Sequence, residues 1–527
     1  MTRCLLVSPR FPDLSYWNYR EPCELLGAKY PTAPLGLITA AALLPSDWEV
    51  RLLDLNTREL DTALLDWADL VMAGGMIPQQ RSLLALIDLC HARGKPIAIG
   101  GQDPTSQPSV YAPADYLILD EGENTIPQFL AAFAAGIPRG TYRSPDKPDL
   151  ARSPTPRFDL LCLTDYLYVG VQFSRGCPLN CEFCDIIELY GRTPRTKTPA
   201  QVLRELDALY RLGYRGHVDF VDDNFIGNRK AVLEFLPKLL RWSQARRFPF
   251  LFSTEATINL ADDPALLALM EAVDFRYVFV GIETPDTTLL LQTQKKVNTR
   301  HPIAESVHRL QEHGMVVIAG FILGFDGETR AAADHIVECV ERAGIPMAMV
   351  GLLTALPNTQ LTRRLAREGR LATGDFHTRT GDVDQATSGI NFIPSRPRAE
   401  IFEDYASIVR RLYAAKAYFN RVLAFARRLR RRPKQVGSLR GRWTDLRALA
   451  AVVWRLGFRR ETAGHFWRTV LVLVVTRPSN LETALLLMAL YLHFSKHTQF
   501  VIEEHLARIP EPAGEPLQRT VGVSSLE

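Results

Sequence analysis

The chain has 527 residues, more than one hydrophobic core usually supports, so two or three domains are expected. Its apolar fraction of 47% and charged fraction of 23% are those of a soluble globular protein. The 62 basic and 58 acidic residues nearly cancel, which gives no electrostatic reason to expect a nucleic-acid partner.

Eight cysteines, three of them within residues 177–184, do not form the pattern of a secreted disulfide framework, and a reducing cytoplasm is the expected location. The apolar run before Pro9 and Arg10 is too short for a signal peptide and reads as a first buried strand. No segment reaches the ~18 uncharged apolar residues that spanning a bilayer requires. Residues 469–476 and 483–494 come nearest, so contact with a membrane surface is the membrane role left open.

Apolar runs at residues 4–7, 50–55, 70–73, 97–99 and 116–119 alternate with helical patterns such as 35–44 and 81–91. This alternation predicts an α/β domain over residues 1–140 with a doubly wound parallel sheet. Ligands of such sheets lie at the carboxyl ends of the strands, where Gly74-Gly75-Met76, Gly100-Gly101 and Glu121-Gly122-Glu123 fall. Glycine there either admits the close approach of a flat ligand or serves an ordinary turn. Residues 141–165 continue a Pro-, Arg- and Ser-rich stretch and read as a linker.

A second series follows over residues 166–395, with strands predicted at 168–173, 218–221, 250–253, 277–281, 316–322 and 347–352. Six strand-helix units predict a partial TIM-type (βα)6 barrel whose site lies at the carboxyl ends of its strands. Residues 396–527 form a mostly helical domain. One or two amphipathic helices span 399–432 and end in Arg427, Arg428, Arg430, Arg431 and Arg432; further helices are expected near 443–456, 461–475 and 480–505.

Directly after the first barrel strand stands Ser174-Arg175-Gly176-Cys177-Pro178-Leu179-Asn180-Cys181-Glu182-Phe183-Cys184. Three thiolates with gaps of three and two residues can ligate three irons of a cubane and leave the fourth open to a substrate. A structural zinc site wants four protein ligands, and no histidine occurs between His91 and His217; Cys162 is the one spare thiol nearby. An electron-transfer ferredoxin would likewise want a fourth cysteine.

This spacing after a barrel strand resembles the signature of the radical S-adenosylmethionine superfamily. The resemblance implies a 4Fe-4S cluster on Cys177, Cys181 and Cys184, with S-adenosylmethionine chelating the open iron. Cleavage of the sulfonium would yield a 5'-deoxyadenosyl radical that abstracts hydrogen from an unactivated carbon. The same resemblance places Phe183 against adenine, Asp222 and Asp223 near the methionine amine, and Glu283 at the ribose. Glu255 would be a further cofactor contact, and Gly320 and Gly324 would flank an apolar adenine-contacting segment. For Asp222, Asp223 and Glu283, capping of the following helix is the competing reading.

The first domain resembles the cobalamin-binding domain of cobalamin-dependent members of that superfamily. The resemblance rests on Pro34-Leu35-Gly36-Leu37, the glycine pairs and Glu121-Gly122-Glu123. It implies corrin contacts from Leu35, Gly74, Gly75, Met76, Gly100, Gly101, Glu121 and Gly122. At the position of the histidine lower ligand stands Asn56, a poor cobalt ligand. Either cobalamin is held with its lower face unligated, or the fold persists without the cofactor.

Residues 184–195 and 220–228 resemble the subgroup that contains hopanoid carbon methylases, which carry a helical C-terminal domain. This implies a cobalamin-dependent C-methyltransferase acting on a lipid-like or other small molecule, reduced by a flavodoxin- or ferredoxin-type donor. The competing readings are a radical cyclase, carbon-carbon bond-forming or rearrangement enzyme without methyl transfer, and a non-enzymatic iron-sulfur redox sensor. The apolar runs 470–475 and 485–492, broken by Arg468, Arg477 and Lys496, are either core helices or an interfacial membrane face.

Overall fold

Apolar runs bounded by helical segments build parallel sheets because both faces of such strands can be covered. The computed structural model describes residues 1–13, 15–371, 389–430 and 439–507, and it contains two parallel sheets. The strands are β1 (Arg3–Ser8), β2 (Tyr30–Thr32), β3 (Glu49–Asp54), β4 (Leu70–Gly74), β5 (Ile97–Gly100), β6 (Tyr116–Ile118) and β7 (Gly140–Tyr142). All but β2 form the first sheet, in the order β3-β1-β4-β5-β6-β7. Side chains alternate across it: Leu5, Val7 and Val71 enter one buried cluster, whereas Leu6, Leu70 and Met72 enter another on the opposite face.

The later strands are β8 (Tyr166–Val171), β9 (Ser174–Arg175), β10 (Arg195–Thr196), β11 (Gly216–Phe220), β12 (Phe250–Glu255), β13 (Phe275–Glu283), β14 (Val316–Leu323) and β15 (Met347–Leu352). The second sheet runs β15-β14-β13-β12-β11-β8-β2 and is an open, partial barrel. It therefore has seven strands where six are expected. The extra edge is β2, which pairs Tyr30 with Tyr166 and Thr32 with Tyr168. Three residues are too short for a readable pattern, so no strand is expected at residues 30–32. Strand β7 is the second difference: it pairs with β6 at the edge of the region expected to be linker. The short ladder of β9 and β10 is antiparallel and frames the cysteine loop.

Five helices follow: Arg398–Leu412, Ala415–Arg428, Leu439–Gly457, Ala463–Thr476 and Leu481–Ala507. Arg431, Arg432 and residues 508–527 lie outside the described residues. The helices share one apolar cluster with the barrel. Arg421 is fully buried in that contact; its Nε donates to Ile345 O (3.0 Å) and it pairs with Glu341. The segment before β2 is trapped against the last helix, with Tyr16 stacked on Phe494 at 4.9 Å. Glu21 lies beside His493 (3.2 Å) and pairs with Lys496 (2.7 Å). Among the described residues no helix is long and apolar enough to cross a membrane.

Burial acts to raise the Glu21 carboxyl, but the bonds from His493 and Lys496 override it and hold it at about 2. A depressed carboxyl contributes stability above its unfolded value of ~4.3, and that contribution is lost as pH falls toward 2. Acidification from about pH 5 to about pH 3 should narrow the stability gap between the wild type and Glu21→Gln by about 1–2 kcal/mol, read from denaturant midpoints.

Candidate active site

The cysteine loop leaves the carboxyl end of β8 and is pinned by two adjacent carboxylates after β11. Asp222 accepts from the backbone N–H of Phe173 (3.0 Å), and from both the N–H and the hydroxyl of Ser174. Asp223 accepts from Gly176 N–H at 2.8 Å. Gly176 has φ +94°, and a Cβ there would lie 2.8 Å from Gly191 O, so no other residue fits. The capping alternative fails for these acids: Asn228 caps the helix Arg229–Ala245, and Asp286 rather than Glu283 caps Thr287–Gln292.

Cys181 is buried, whereas Cys177 and Cys184 are partly accessible. Asn224 Nδ2 donates to Cys177 Sγ at 3.9 Å. Burial raises the Cys181 thiol, and the buried Lys295 ammonium, paired with Glu283 at 2.9 Å, acts in the opposite sense on Cys181 and Cys184. Among the described residues no three His, Cys, Asp or Glu side chains converge tightly enough to hold a single metal ion. A mononuclear zinc draws every ligand to within ~2.3 Å of one ion, whereas cluster thiolates bind separate irons. Three thiols on one loop, with donors and a cation beside them, suit a cubane with three protein ligands.

The residues expected to meet a corrin make the following contacts within the protein. Glu121 and Glu123 turn toward the barrel: Arg175 pairs with both at 2.8 Å, and Arg195 pairs with Glu121 at 2.7 Å. Burial raises the Glu123 carboxyl, but Arg175 outweighs it and holds the group at about 2. Asn56 Oδ1 accepts from Phe11 N–H (2.9 Å), while its Nδ2 donates to Pro9 O (3.1 Å) and Asp54 Oδ1 (2.7 Å). A Cβ on Gly74 would lie 3.0 Å from Gly100 O, on Gly100 2.8 Å from Ile118 O, and on Gly101 2.8 Å from Gly75 N. A Cβ on Gly75 would meet Gln79, and one on Gly122 would meet Ile126. These glycines are thus explained by chain packing on chain, and Leu35 packs near Gly170. Of this set only Met76 borders the cavity described next.

Between the carboxyl ends of the two sheets lies a cavity of about 2220 Å³, larger than the ~300–1,000 Å³ of ordinary ligand sites. The first domain contributes Phe11, Pro12, Met76, Pro78 and Gln102. Near the cysteine loop it is bordered by Phe183, Ile186, Asp222 and Asp223. Glu283, Gly320 and Gly324 stand behind the lining; a Cβ on Gly320 would lie 2.8 Å from the Phe279 ring, which does border the cavity.

The barrel lumen is divided. Phe279, Ile318, Ile322, Met347 and Met349 make one wall apolar, whereas His217, Asp219, Ser253 and Glu255 make the other polar. His217 Nε2 lies 2.6 Å from Ser253 Oγ, which donates to Asp219. Burial keeps His217 neutral, down at about 3, and raises Asp219 to about 6. Glu255 opens into the cavity yet is walled by protein; desolvation, then Asp219, Asp223 and Asp222, lift it to about 8. Its carboxyl is therefore largely protonated at neutral pH and can donate a hydrogen bond. Glu255 of the polar wall was expected as a cofactor contact, whereas His217, Asp219, Ser253, Lys295 and the Arg175 and Arg195 pairs were not, because nothing in the local pattern marks their partners.

Comparison with known proteins agrees with this geometry. Residues 171–340 match the radical SAM superfamily model, and residues 359–507 match a domain of unknown function, DUF4070. An uncharacterized methyltransferase of Synechocystis sp. is 44% identical over 504 residues, covering 95% of this chain and 93% of its own length. Hopanoid C-2 methylase of Rhodopseudomonas palustris is 34% identical over 503 residues, covering 93% of this chain and 92% of its own. Two solved structures share the fold. OxsB, a cobalamin-dependent radical enzyme with aqua-cobalamin and S-adenosylmethionine bound, has a TM-score of 0.60 at 15% identity, covering 96% of this chain and 81% of its own. TsrM from Kitasatospora setae, with cobalamin and a 4Fe-4S cluster bound, has a TM-score of 0.57 at 18% identity, covering 71% and 80%.

The protein is a radical S-adenosylmethionine enzyme. Within that superfamily the chain belongs to the methyltransferase family that includes hopanoid C-2 methylase.

Replacing Arg175 by Met leaves two carboxylates buried without their main partner. The expected cost is about 3–5 kcal/mol, seen as a lower unfolding midpoint, together with less iron-sulfur incorporation on reconstitution. Arg175→Lys should recover part of both, because it restores charge without the bidentate fork.

Proposed function

We propose that this chain is a cobalamin-dependent C-methyltransferase that adds a methyl group to an unactivated carbon of a hopanoid or similar polycyclic lipid. The observation that carries this reading is a cavity between the two sheets, bordered by the first domain, the cysteine loop and the helical region together. Its volume suits two cofactors and a bulky apolar substrate. The 34% identity to hopanoid C-2 methylase over nearly the full length supports the substrate class.

In this reading Cys177, Cys181 and Cys184 hold the cluster and leave one iron to S-adenosylmethionine. Phe183 covers the adenine, Asp223 faces the methionine amine with the oxygen not bonded to Gly176, and Glu283 with Lys295 sets the floor beneath. Residues 1–140 supply the cobalamin wall through Phe11, Met76 and Gln102, rather than through the glycines. The Asn56 amide already bonds to Phe11, Pro9 and Asp54, so residue 56 offers the cobalt no lower ligand. When bound, the cluster supplies the electron that cleaves S-adenosylmethionine, and the cobalamin supplies the methyl-carrying metal. The protein orients these groups and excludes water with its apolar wall. Glu255 donates to a polar group of the substrate or to ordered water.

The eight free cysteines suit a reducing cytoplasm, where a flavodoxin- or ferredoxin-type protein would deliver electrons. A membrane lipid as substrate also calls for peripheral contact with the bilayer.

The test is isotopic. With methyl-labelled S-adenosylmethionine and a hopanoid under anaerobic reduction, label should enter the product, and both S-adenosylhomocysteine and 5'-deoxyadenosine should accumulate. Formation of 5'-deoxyadenosine alone would overturn methyl transfer in favour of cyclisation or rearrangement. Cys181→Ala should lose cluster iron and abolish both nucleoside products, measured by iron analysis and chromatography.

A further inference from the structure

The helices Leu439–Gly457 and Ala463–Thr476 form a hairpin. Its turn is fixed by Thr462 Oγ1, which donates to Leu456 O at 2.6 Å, and by Trp467 Nε1–H, which donates to Gly457 O at 2.9 Å. The outer surface of such a hairpin is ordinarily polar. Here Trp454 is 72% exposed, Phe458 68% and Val475 82%, with Leu446, Leu471 and Val474 also exposed. Among the described residues nine of the seventeen exposed large apolar side chains fall within residues 446–486, which is a concentration and not ordinary surface scatter. The Trp454 and Phe458 rings lie 5.6 Å apart, so they form one aromatic unit.

The charge on the same segment is one-sided. Residues 446–477 carry six arginines, at 447, 455, 459, 460, 468 and 477, against Glu461 as the one acid. An exposed aromatic and aliphatic surface set among arginines matches an interfacial surface on an anionic bilayer. A second copy of this chain would bring the same arginines face to face, so charge favours the bilayer.

The patch is also continuous with the cavity. Leu449 and Leu486 are both exposed and line it, and Val452, Thr476 and Leu485 line it from the helices Leu439–Gly457, Ala463–Thr476 and Leu481–Ala507, with Pro478 from the turn between the last two. Leu449 and Leu486 therefore belong both to the exposed apolar surface and to the cavity lining.

We propose that the hairpin of residues 446–477, with Leu486, docks on an anionic lipid bilayer and that the cavity is loaded from the bilayer at Leu449 and Leu486. The loading step rests on the lipid substrate proposed above; the docking does not.

The experiment is co-flotation of the full chain with vesicles of phosphatidylcholine, with or without phosphatidylglycerol. The wild type should float with the anionic vesicles and be released by salt. Leu471→Asp/Val475→Asp and Arg459→Glu/Arg460→Glu should each weaken partitioning by about tenfold or more. Both variants should retain wild-type unfolding midpoints and S-adenosylmethionine cleavage in detergent. Absence of flotation, or equal flotation of both variants, overturns the proposal. So does a wild-type dimer that Leu471→Asp/Val475→Asp disperses while no vesicle is bound, since the face is then a self-interface. Flotation without a methylated hopanoid leaves docking standing and removes the substrate. Methylation of a detergent-presented hopanoid without flotation does the reverse.

Discussion

Arg175 sits one residue from the glycine that opens the cysteine loop, caught between Glu121 and Glu123 at the start of the helix after β6. Two carboxylates so close and so buried are tolerated only with cations hydrogen-bonded to both, and Arg175 and Arg195 provide them. This cross-sheet contact fixes the distance between the first domain and the loop. Asp222 and Asp223 hold the same loop from the barrel side, through backbone N–H groups at 173, 174 and 176. The loop is thus held from both sides by charged groups before any cofactor arrives, which is the preorganisation that a cluster with one open iron requires.

The cavity follows from that arrangement. Because both sheets are parallel, their carboxyl ends carry the loops, and the Arg175 contact turns the two sets of loops toward each other. The strands that face the lumen then divide it chemically. Strands β13, β14 and β15 present rings, aliphatic chains and methionines, while β11 and β12 present the His217, Asp219, Ser253 and Glu255 group. An apolar chamber with one polar wall suits a small molecule that is mostly apolar and bears few polar groups.

Much of this was legible in the sequence, and the rest was hidden for physical reasons. Apolar runs of three to seven residues marked the strands of both sheets other than β2 and β7, and the spacing of Cys177, Cys181 and Cys184 pointed to the cluster chemistry. Pairings between distant charges leave no local trace, so the partners of Arg175 and Lys295 were invisible. Strand β2 was too short to show a period, and residues 11–32 therefore read as part of the first domain although they pack on the barrel and the last helix. At the strand ends, Gly74, Gly100 and Gly101 let backbones touch. Helix capping was a sound expectation for Asp222, Asp223 and Glu283, but Asn228 took that role after the first two and Asp286 after the third.

The central claim is that the protein ligates three irons of a cluster and leaves the fourth to S-adenosylmethionine. Mössbauer spectroscopy of the reconstituted chain, with and without S-adenosylmethionine, tests it most directly. The account predicts that one iron in four changes its signal on addition while three do not. A spectrum unchanged by S-adenosylmethionine, from a cluster whose four irons are all protein-ligated, would contradict it.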